Sequence, residues 1–443
     1  MSSDRYTLYP EPYTLEYEVA ASAANLKVAI LGFGTVGSSV ARILCDLKPQ
    51  GVQLTHIYNR HIARKLADWV PSSVTWTEDV DAILASDVDV VIELVGGLDP
   101  AGSWVRRALE AGKSVITANK KLIAFHGVEL EALAKSKGGH LLYGAAVAGG
   151  IPVIPGLQQG LAGDQVRRIE GILNGTCNFI LSKMEGGAEF ADVLKEAQAH
   201  GYAEADPTED VDGYDARAKL AILSRLALRA DLDPNEIPCR SIREVSAIDF
   251  EYARELGCTI RQISRAELRG AGTEAVVASV GPMLVPKASP LAWSRGTENT
   301  VLVGGKYGGD VVFSGHGAGG HPTAVAVVSD LIGIAHGSRA VDLPSRKASV
   351  SGEFLLRHSI RFVVCDQPGI IAEIALALAE QGINIHAIFQ KPGYGRENLP
   401  FVVTVEPCAN SALKRALTRI GQMKCLLEKP FDLQILEPEE TVN

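Results

Sequence analysis

The sequence has few of the features that mark secreted or membrane-spanning proteins. Its seven cysteines include no C-x-x-C pair and its ten histidines show no metal-ligand spacing, so we expect reduced thiols. The longest stretch without a charged residue, Gly138 to Gly163, is interrupted by glycine and proline, which argues against a membrane span. The first residues lack a charged segment followed by an apolar one. We therefore expect a soluble, cytoplasmic protein with no membrane partner.

Acidic residues outnumber basic ones, 52 to 43. The formal net charge is −9, and basic pairs such as Arg106-Arg107 are isolated rather than arranged in a stripe. This composition excludes nucleic acid as an expected partner. The 443 residues, 47% of them hydrophobic, suggest about three domains with sizeable cores.

A glycine-rich turn follows the first apolar run. Residues 27–37 read K-V-A-I-L-G-F-G-T-V-G, and helical periodicity continues from Ser38 to Leu47. A strand, a tight turn and a helix in this order predict a dinucleotide site, in which the helix N-terminus offers N–H donors to a pyrophosphate. The expected cofactor contacts are Gly32, Phe33, Gly34, Thr35, Val36 and Gly37.

Strand and helix patterns alternate after this turn. Strand patterns lie at 53–58, 88–95, 114–117 and 140–147, and helical patterns lie between them at 100–111 and 125–137. This alternation predicts an α/β fold with a doubly wound parallel sheet of the Rossmann type, buried on both faces.

The residues about twenty positions past the glycines bear on cofactor preference. Enzymes that prefer NAD have an acid there to bind the ribose 2′-hydroxyl, whereas this chain reads Ile57-Tyr58-Asn59-Arg60. Because a guanidinium suits a 2′-phosphate, we expect Arg60 to favour NADP(H) over NAD(H). The alternative is an ordinary surface arginine.

The densest charge cluster lies within 197–219, where six carboxylates occur in twelve residues. A proline and a glycine interrupt it, so we expect a loop over 204–212 and a helix from about Gly213 that carries Asp215 and Lys219 on one face. One alternative is an acidic, solvent-exposed loop in which this pair contributes about 0.3 kcal/mol. A calcium loop is another, but it fails because its twelfth position is lysine rather than glutamate.

The same segment matches the pattern A-x3-G-Y-A-x2-D-P-x2-D-V-x-G-x-D-x3-K at every position. This pattern resembles the signature of the homoserine dehydrogenases. The resemblance implies that Glu204 binds the substrate ammonium, that Asp215 binds the hydroxyl end and that Lys219 is the acid/base. It places Lys120 beside cofactor and substrate as a second catalytic candidate, and Asn174-Gly175-Thr176 near the substrate.

The resemblance continues through Gly317-Ala318-Gly319-Gly320, the family's return from the catalytic domain, and includes Asn299. We expect the helix at 323–335 to pack back on the cofactor domain. Gly320 and Gly96 are further expected cofactor contacts.

One segment departs from the family pattern. At the second position of 143–152 the family normally has a glutamate, which holds a monovalent metal ion together with backbone carbonyls. This chain has Gly144 there. The carbonyls of Val147, Gly149 and Ile151 are the remaining expected ligands for sodium or potassium, and loss of the anionic ligand weakens the site.

From His358 the chain changes character. A strand, a D-Q-P-G turn, a helix ending near Gly382 and a G-I-N-I strand begin a β-α-β-β-α pattern with a possible last strand at 431–436, which predicts a ferredoxin-like unit. The run from D-Q-P-G through G-I-N-I resembles ACT domains, regulatory modules that pair with copies of themselves and bind amino acids. The resemblance implies threonine as the effector. The alternative is a merely structural or dimerising tail.

These patterns predict a complete domain layout. It comprises an N-terminal extension (1–25), an NAD(P)-binding Rossmann domain (26–152 plus 318–342), an inserted α+β catalytic and dimerisation domain (153–317) and an ACT domain (358–437). The resemblance implies NAD(P)H-dependent reduction of L-aspartate 4-semialdehyde to L-homoserine, in threonine, methionine and isoleucine biosynthesis, by a homodimer or homotetramer. A catalytically silent amino-acid sensor and a related semialdehyde dehydrogenase are the alternatives.

Overall fold

The computed structural model describes residues 25–269, 275–337 and 344–437. The predicted N-terminal extension, apart from its last residue, and the predicted domain end at 342 lie outside these ranges. Within them the chain forms two large β-sheets with helices packed against them. None of the helices in these ranges is both long and apolar enough to cross a membrane.

The first sheet is parallel throughout. Its strands are β1 (Leu26–Leu31), β2 (Val52–Tyr58), β3 (Thr75–Thr77), β4 (Val90–Glu93), β5 (Ser114–Thr117) and β6 (Leu141–Leu142). The helices among them are α1 (Thr35–Leu47), α2 (Val80–Ala85), α3 (Ala101–Glu110) and α4 (Lys120–Ser136). The strand order is β3-β2-β1-β4-β5-β6. This order confirms the predicted Rossmann-type sheet.

The alternation of side chains along β1 explains why both faces of this sheet are covered. Ala29 and Leu31 pack into a core with α3 and α4, whereas Val28 and Ile30 pack into a separate core with α1. All four side chains are fully buried. Burial of each of the larger ones stabilises the fold by about 1.5–3 kcal/mol.

The last predicted strand of this sheet is largely wrong. Of the apolar run 140–147, only Leu141–Leu142 forms a strand, and Gly144–Ala146 forms a 3₁₀ turn. Ala148 and Gly149 then adopt left-handed φ angles of +56° and +46°, which no strand allows. The run is apolar because it is buried between elements, and burial alone does not distinguish a strand from a packed turn.

The second sheet has ten strands. They are β7 (Val166–Ile172), β9 (Cys258–Leu268), β10 (Ala275–Pro286), β11 (Glu298–Gly305), β12 (Gly309–His316), β14 (Ser349–Ser351), β15 (Leu355–Val364), β16 (Ile385–Gln390), β17 (Leu399–Ala409) and β18 (Phe431–Ile435). The main order is β12-β11-β7-β9-β10-β18-β15-β17-β16, and β14 pairs with β10. Two short strands, β8 (Ala230–Asp231) and β13 (Arg346–Lys347), pair separately.

Ten further α-helices follow in the described part of the chain. They are α5 (Val153–Pro155), α6 (Gly175–Met184), α7 (Phe190–Ala199), α8 (Thr208–Val211), α9 (Tyr214–Ala227), α10 (Ala247–Glu255), α11 (Pro290–Trp293), α12 (Gly320–Ala335), α13 (Ile370–Ala379) and α14 (Asn410–Ile420). One of them, α12, packs against α1 and the first sheet. A five-residue π-helix, Gly156–Gly160, follows α5.

The acid-rich segment contains a helix that its sequence did not indicate. The short helix α8 lies inside the predicted loop 204–212, so that prediction is wrong at its centre. The next helix, α9, begins where expected, directly after Gly213. Gly213 has a φ of +87°, a conformation that glycine adopts without steric cost. Most of α9 is buried, so it holds its polar side chains inside the protein.

The C-terminal strands and helices have the predicted β-α-β-β-α pattern with a last strand, β18. Their strand order is β18-β15-β17-β16, and α13 and α14 share one hydrophobic core with these strands. Sequence patterns did not predict how this unit joins the rest of the chain. Strand β18 pairs in parallel with β10, at Met283 with Gln434 and Leu284 with Ile435, so a single sheet runs through both units.

Candidate active site

Two lysines meet one carboxylate in the interior of the protein. Asp215, in the first turn of α9, is 3% exposed. Its Oδ2 accepts a hydrogen bond from Lys219 Nζ at 2.8 Å, and its Oδ1 forms an ion pair with Lys120 Nζ. The first contact confirms the predicted i, i+4 arrangement on one helix face. The second joins α9 to the start of α4, in the first sheet.

Two side-chain amides and one backbone carbonyl fix this cluster. Asn174 caps α6 by accepting from Cys177 N, and its Nδ2 donates to Asp215 Oδ2 at 2.8 Å and to Asp210 Oδ1 at 2.7 Å. Lys219 Nζ also donates to the carbonyl of Leu173 at 2.7 Å. That carbonyl accepts a second bond from Asn299 Nδ2 at 3.1 Å. With these partners, Lys219 Nζ has a defined position.

The surroundings move the pKa values of the two lysines apart. Burial lowers the pKa of Lys219, and the charge of Asp215 only partly opposes this shift. Burial also acts on Lys120, but attraction and hydrogen bonding to Asp215 outweigh it and raise the pKa of Lys120. For Asp215, burial favours the neutral form, yet the two ammonium groups hold its pKa well below its usual value. Lys219 is therefore the more acidic lysine and the better proton donor.

Lys120 is the first residue of α4, which begins shortly after the end of β5. Asn119 caps this helix through its Oδ1, which accepts from Leu122 N at 3.1 Å. The Asn119 backbone N donates to Thr117 Oγ1, and that hydroxyl donates to Glu93 Oε2 at 2.6 Å. This chain of bonds fixes the start of α4 against the ends of β4 and β5.

Glu93 is a site residue to which sequence reasoning gave no role. It is fully buried, and its Oε1 accepts from Val95 N and Gly96 N at 2.7 and 2.8 Å. It thereby shapes the turn after β4, in which Gly96 has a φ of +78°. The detectable signal was a lone acid within an apolar strand, because a buried charge needs partners. Asp210 also had no assigned role. It is one of six acids in the acid-rich segment, so nothing in the sequence distinguished it from the other five.

The glycine-rich turn follows β1 at the same edge of the sheet. A Cβ atom on Gly37 would lie 1.9 Å from the carbonyl oxygen of Gly32, so α1 approaches this turn as only glycine permits. A Cβ on Gly320 would lie 2.7 Å from Ser39 Oγ, because the start of α12 packs against the start of α1. The predicted return of this helix to the cofactor domain is confirmed, with its start at Gly320 rather than Thr323.

The parallel strands bring the cofactor turn and the lysine cluster to one edge. Because β1, β4 and β5 are adjacent and parallel, their carboxyl ends lie side by side. The glycine turn follows β1, Gly96 follows β4 and Lys120 follows β5. Asp215 and Lys219 reach this edge through the ion pair with Lys120. A dinucleotide on the glycine turn and a small substrate on the lysines would therefore meet in one crevice.

The other predicted substrate residues lie at the start of α6 and in the loop before α8. Thr176 Oγ1 donates to the carbonyl of Tyr202 at 2.6 Å, which holds the loop before α8 against the start of α6. Glu204 lies in that loop with its side chain exposed, and Gln198 Nε2 donates to its carbonyl. A Cβ on Gly175 would lie 2.7 Å from the carbonyl oxygen of Thr297, so α6 starts in a close approach. Arg60 is exposed, two residues beyond β2.

The segment with the expected cation ligands forms a tight turn. Gly144 N donates to Asp330 Oδ2 at 2.8 Å, and a Cβ on Gly144 would lie 2.9–3.0 Å from both oxygens of that carboxylate. A glutamate at 144 would therefore displace Asp330. Burial raises the pKa of Asp330 to about 6. Val147, Gly149 and Ile151 offer carbonyl groups only, and Ile151 O already accepts from Val153 N at 2.7 Å. Among the described residues, no cluster of three or more acid, histidine or cysteine side chains could hold a metal.

The fold and the site define an NAD(P)-dependent oxidoreductase that acts on a CH–OH group. Residues 152–332 match the family model described as homoserine dehydrogenase, and residues 32–144 match the model of its NAD-binding domain. The chain belongs to the homoserine dehydrogenase family.

Similar proteins support this assignment along nearly the whole chain. A homoserine dehydrogenase of Synechocystis is 37% identical over 93% of this chain and all of its own length. That of Corynebacterium glutamicum is 40% identical over 89% of this chain and 91% of its own. The crystal structure of a homoserine dehydrogenase from Thiobacillus denitrificans superposes with a TM-score of 0.85, at 32% identity over 93% of this chain and 98% of its own. A hyperthermophilic archaeal homoserine dehydrogenase in complex with NADPH superposes with a TM-score of 0.60, at 26% identity over 72% of this chain and 99% of its own.

Proposed function

We propose that the chain reduces L-aspartate 4-semialdehyde to L-homoserine in the synthesis of threonine, methionine and isoleucine. The observation that carries this proposal is the contact of the buried Asp215 carboxylate with both lysines at the edge that bears the glycine turn. Loss of NADPH on addition of aspartate semialdehyde tests it. No turnover would favour a silent sensor, and turnover only with another carbonyl compound would favour a related dehydrogenase.

The proposed chemistry uses each charge of the cluster. The nicotinamide, when bound, supplies a hydride to the aldehyde carbon. Lys219 Nζ gives a proton to the carbonyl oxygen as negative charge develops there, so that C=O becomes CH–OH. Lys120 stabilises that charge from the cofactor side. Asp215 orients the reacting oxygen and holds both ammonium groups in place, and Lys219 regains its proton from solvent.

We expect Glu204→Ala mainly to weaken substrate binding. The exposed carboxylate lies in the loop that Thr176 holds against α6, a position from which it can bind the substrate ammonium. Loss of one charge-assisted hydrogen bond costs about 1.5–3 kcal/mol, so the KM for aspartate semialdehyde should rise about tenfold or more with little change in kcat. Glu209→Ala is the matched control, since Glu209 lies nearby but pairs with Lys121 at 3.0 Å. Equal effects of the two variants would contradict the assignment.

We infer that NADP(H) is preferred over NAD(H) and that Arg60 is the cause. Arg60 is exposed beyond the end of β2, where the adenosine ribose of a dinucleotide lies in such folds. Arg60→Gln should raise the KM for NADPH about tenfold and leave that for NADH unchanged, because only NADPH carries the 2′-phosphate. Arg106→Gln removes an equally exposed guanidinium, paired with Glu129, as the control. A wild-type enzyme that strongly prefers NADH would refute the inference.

For the monovalent cation we propose a weak site formed by the carbonyls of Val147, Gly149 and Ile151. The supporting feature is the tight turn at Ala148 and Gly149, whose backbone adopts left-handed φ angles. Without the family's glutamate, no carboxylate of this turn contributes charge. Rates of aspartate semialdehyde reduction in the presence of sodium, potassium or a bulky organic cation test the site. Equal rates with all three cations would contradict the proposal.

We propose the domain division given by the sequence, with residues 358–437 as an ACT domain that binds threonine and pairs with another copy in a homodimer or homotetramer. The β18-β15-β17-β16 order and the helices α13 and α14 support a ferredoxin-like unit. Equilibrium binding of threonine to the full chain, together with its mass in solution, tests both parts. If the chain did not bind threonine at millimolar concentrations, the unit would serve only in assembly or as a structural element.

A further inference from the structure

A pocket of about 660 Å³ lies on the second sheet, away from the lysine cluster. Its walls come from the end of α6, the start of β9 and the segment around α11. The polar and charged residues that line it are Ser182, Glu185, Thr259, Arg261, Lys287 and Arg295. Trp293 also lines the pocket, and 65% of its surface is exposed. A cavity of this size accommodates a small organic molecule.

The floor of the pocket is a buried arginine. The Arg261 side chain is 2% exposed and donates to Thr259 Oγ1 and Ile260 O, each at 2.9 Å, and to Glu185 Oε2 at 3.0 Å. Its Nε is buried and has no hydrogen-bond partner among the described residues, and the same is true of Ser182 Oγ. Neither atom has accessible surface, so the groups that a ligand in the pocket can reach are the exposed side chains of Lys287 and Arg295.

The charge of the pocket indicates the sign of that ligand. Arg261, Lys287 and Arg295 face one acidic lining residue, Glu185, which leaves an excess of two positive charges. Just outside the lining, Arg254 donates to Glu185 O at 3.2 Å and Glu298 Oε2 accepts from Arg295 N at 3.2 Å, so these two flanking charges leave the balance unchanged. This local excess contrasts with the net charge of −9 on the whole chain. Oxyanions are the ligands that arginine and lysine groups bind with charge-assisted hydrogen bonds.

The pocket is separate from the proposed reaction centre. Asn174 caps one end of α6 and belongs to the lysine cluster, whereas Glu185 directly follows the other end. The ten residues of the helix span about 15 Å. An anion in the pocket therefore does not compete with the substrate for the same groups.

We propose that this pocket is a binding site for a small dianion, a molecule that carries a phosphate group or two carboxylates. The anion accepts from Lys287 and Arg295, and the Arg261 guanidinium adds positive charge from the floor of the pocket. The exposed indole of Trp293 covers the apolar part of the ligand.

Calorimetric titration of the full chain tests this site. Inorganic phosphate and succinate are the two probes, at fixed ionic strength and with saturating NADPH so that the cofactor's own phosphate site is filled. We expect saturable binding of at least one probe, and the stronger probe identifies the chemistry of the natural ligand. In Lys287→Gln/Arg295→Gln the affinity should fall at least about tenfold, since two charge-assisted contacts are lost. Both residues are exposed, so the variant is expected to fold.

Lys195→Gln/Lys306→Gln is the matched control, because it removes two exposed cations outside the pocket. Its affinity for the probe should equal that of the unmodified chain. Binding should also change the fluorescence of Trp293, and Trp293→Phe should abolish that change. Absence of saturable binding by both probes, or equal affinity in the two double variants, overturns the proposal.

Discussion

Replacement of Lys219 by alanine is expected to lower turnover by about two to four orders of magnitude, the usual contribution of a general acid. Lys219 is buried, has a lowered pKa and is held by Asp215 and the Leu173 carbonyl, which fixes the position of its proton. The Kd for NADPH should barely change, because the glycine turn belongs to another part of the chain. Single-turnover reduction of aspartate semialdehyde and equilibrium NADPH binding measure the two effects.

The Lys219→Arg variant distinguishes a role of Lys219 as proton donor from a purely electrostatic role. A guanidinium retains the positive charge beside Asp215 but does not deprotonate near neutral pH. If Lys219 acts as the proton donor, the arginine variant should be nearly as slow as the alanine variant. Recovery of most activity by arginine would mean that only charge is needed, and near-normal turnover in Lys219→Ala would assign the proton to Lys120 or to water.

The local parts of this site could be predicted from sequence because helix geometry alone creates them. Asp215 and Lys219 are four residues apart after a glycine, and a helix places such residues on one face. The contact of Lys120 with Asp215 joins positions 95 residues apart and follows no local rule. The family resemblance anticipated a role for Lys120, but the ion pair itself required the structure.

The fold shows the same division between local and distant features. Strand β5 has the predicted bounds 114–117, since a short strand pattern between two helical patterns is a clear signal. The apolar run at 140–147 gave the same signal and is mostly a turn. The pairing of β18 with β10 joins strands that lie even farther apart in the sequence than Lys120 and Asp215. No periodicity encodes it, because hydrophobic alternation specifies which face is buried but not which strand lies alongside.

Replacement of Asp215 by asparagine is expected to slow the reaction about a hundredfold and to move its pH dependence. In the reductive direction Lys219 must be protonated, so activity is present below its pKa and is lost as the pH rises through it. The charge of Asp215 raises that pKa against the effect of burial. Without this charge, and with Lys120 still nearby, the pKa of Lys219 falls further. The loss of kcat should therefore occur at lower pH in the variant.

Asp212→Asn is the control for this shift, because Asp212 lies on the same segment but binds Ser241 and Arg243 rather than the lysines. Its pH profile should match that of the unmodified chain. Since removal of one partner from a buried ion pair can cost about 3–5 kcal/mol of stability, thermal unfolding must first establish that Asp215→Asn is folded at each pH. A folded variant with a lower kcat but an unshifted profile would mean that the titrating proton donor is not Lys219. The pH at which kcat is lost therefore tests the electrostatic coupling between Asp215 and Lys219. The size of the rate loss alone does not test this coupling.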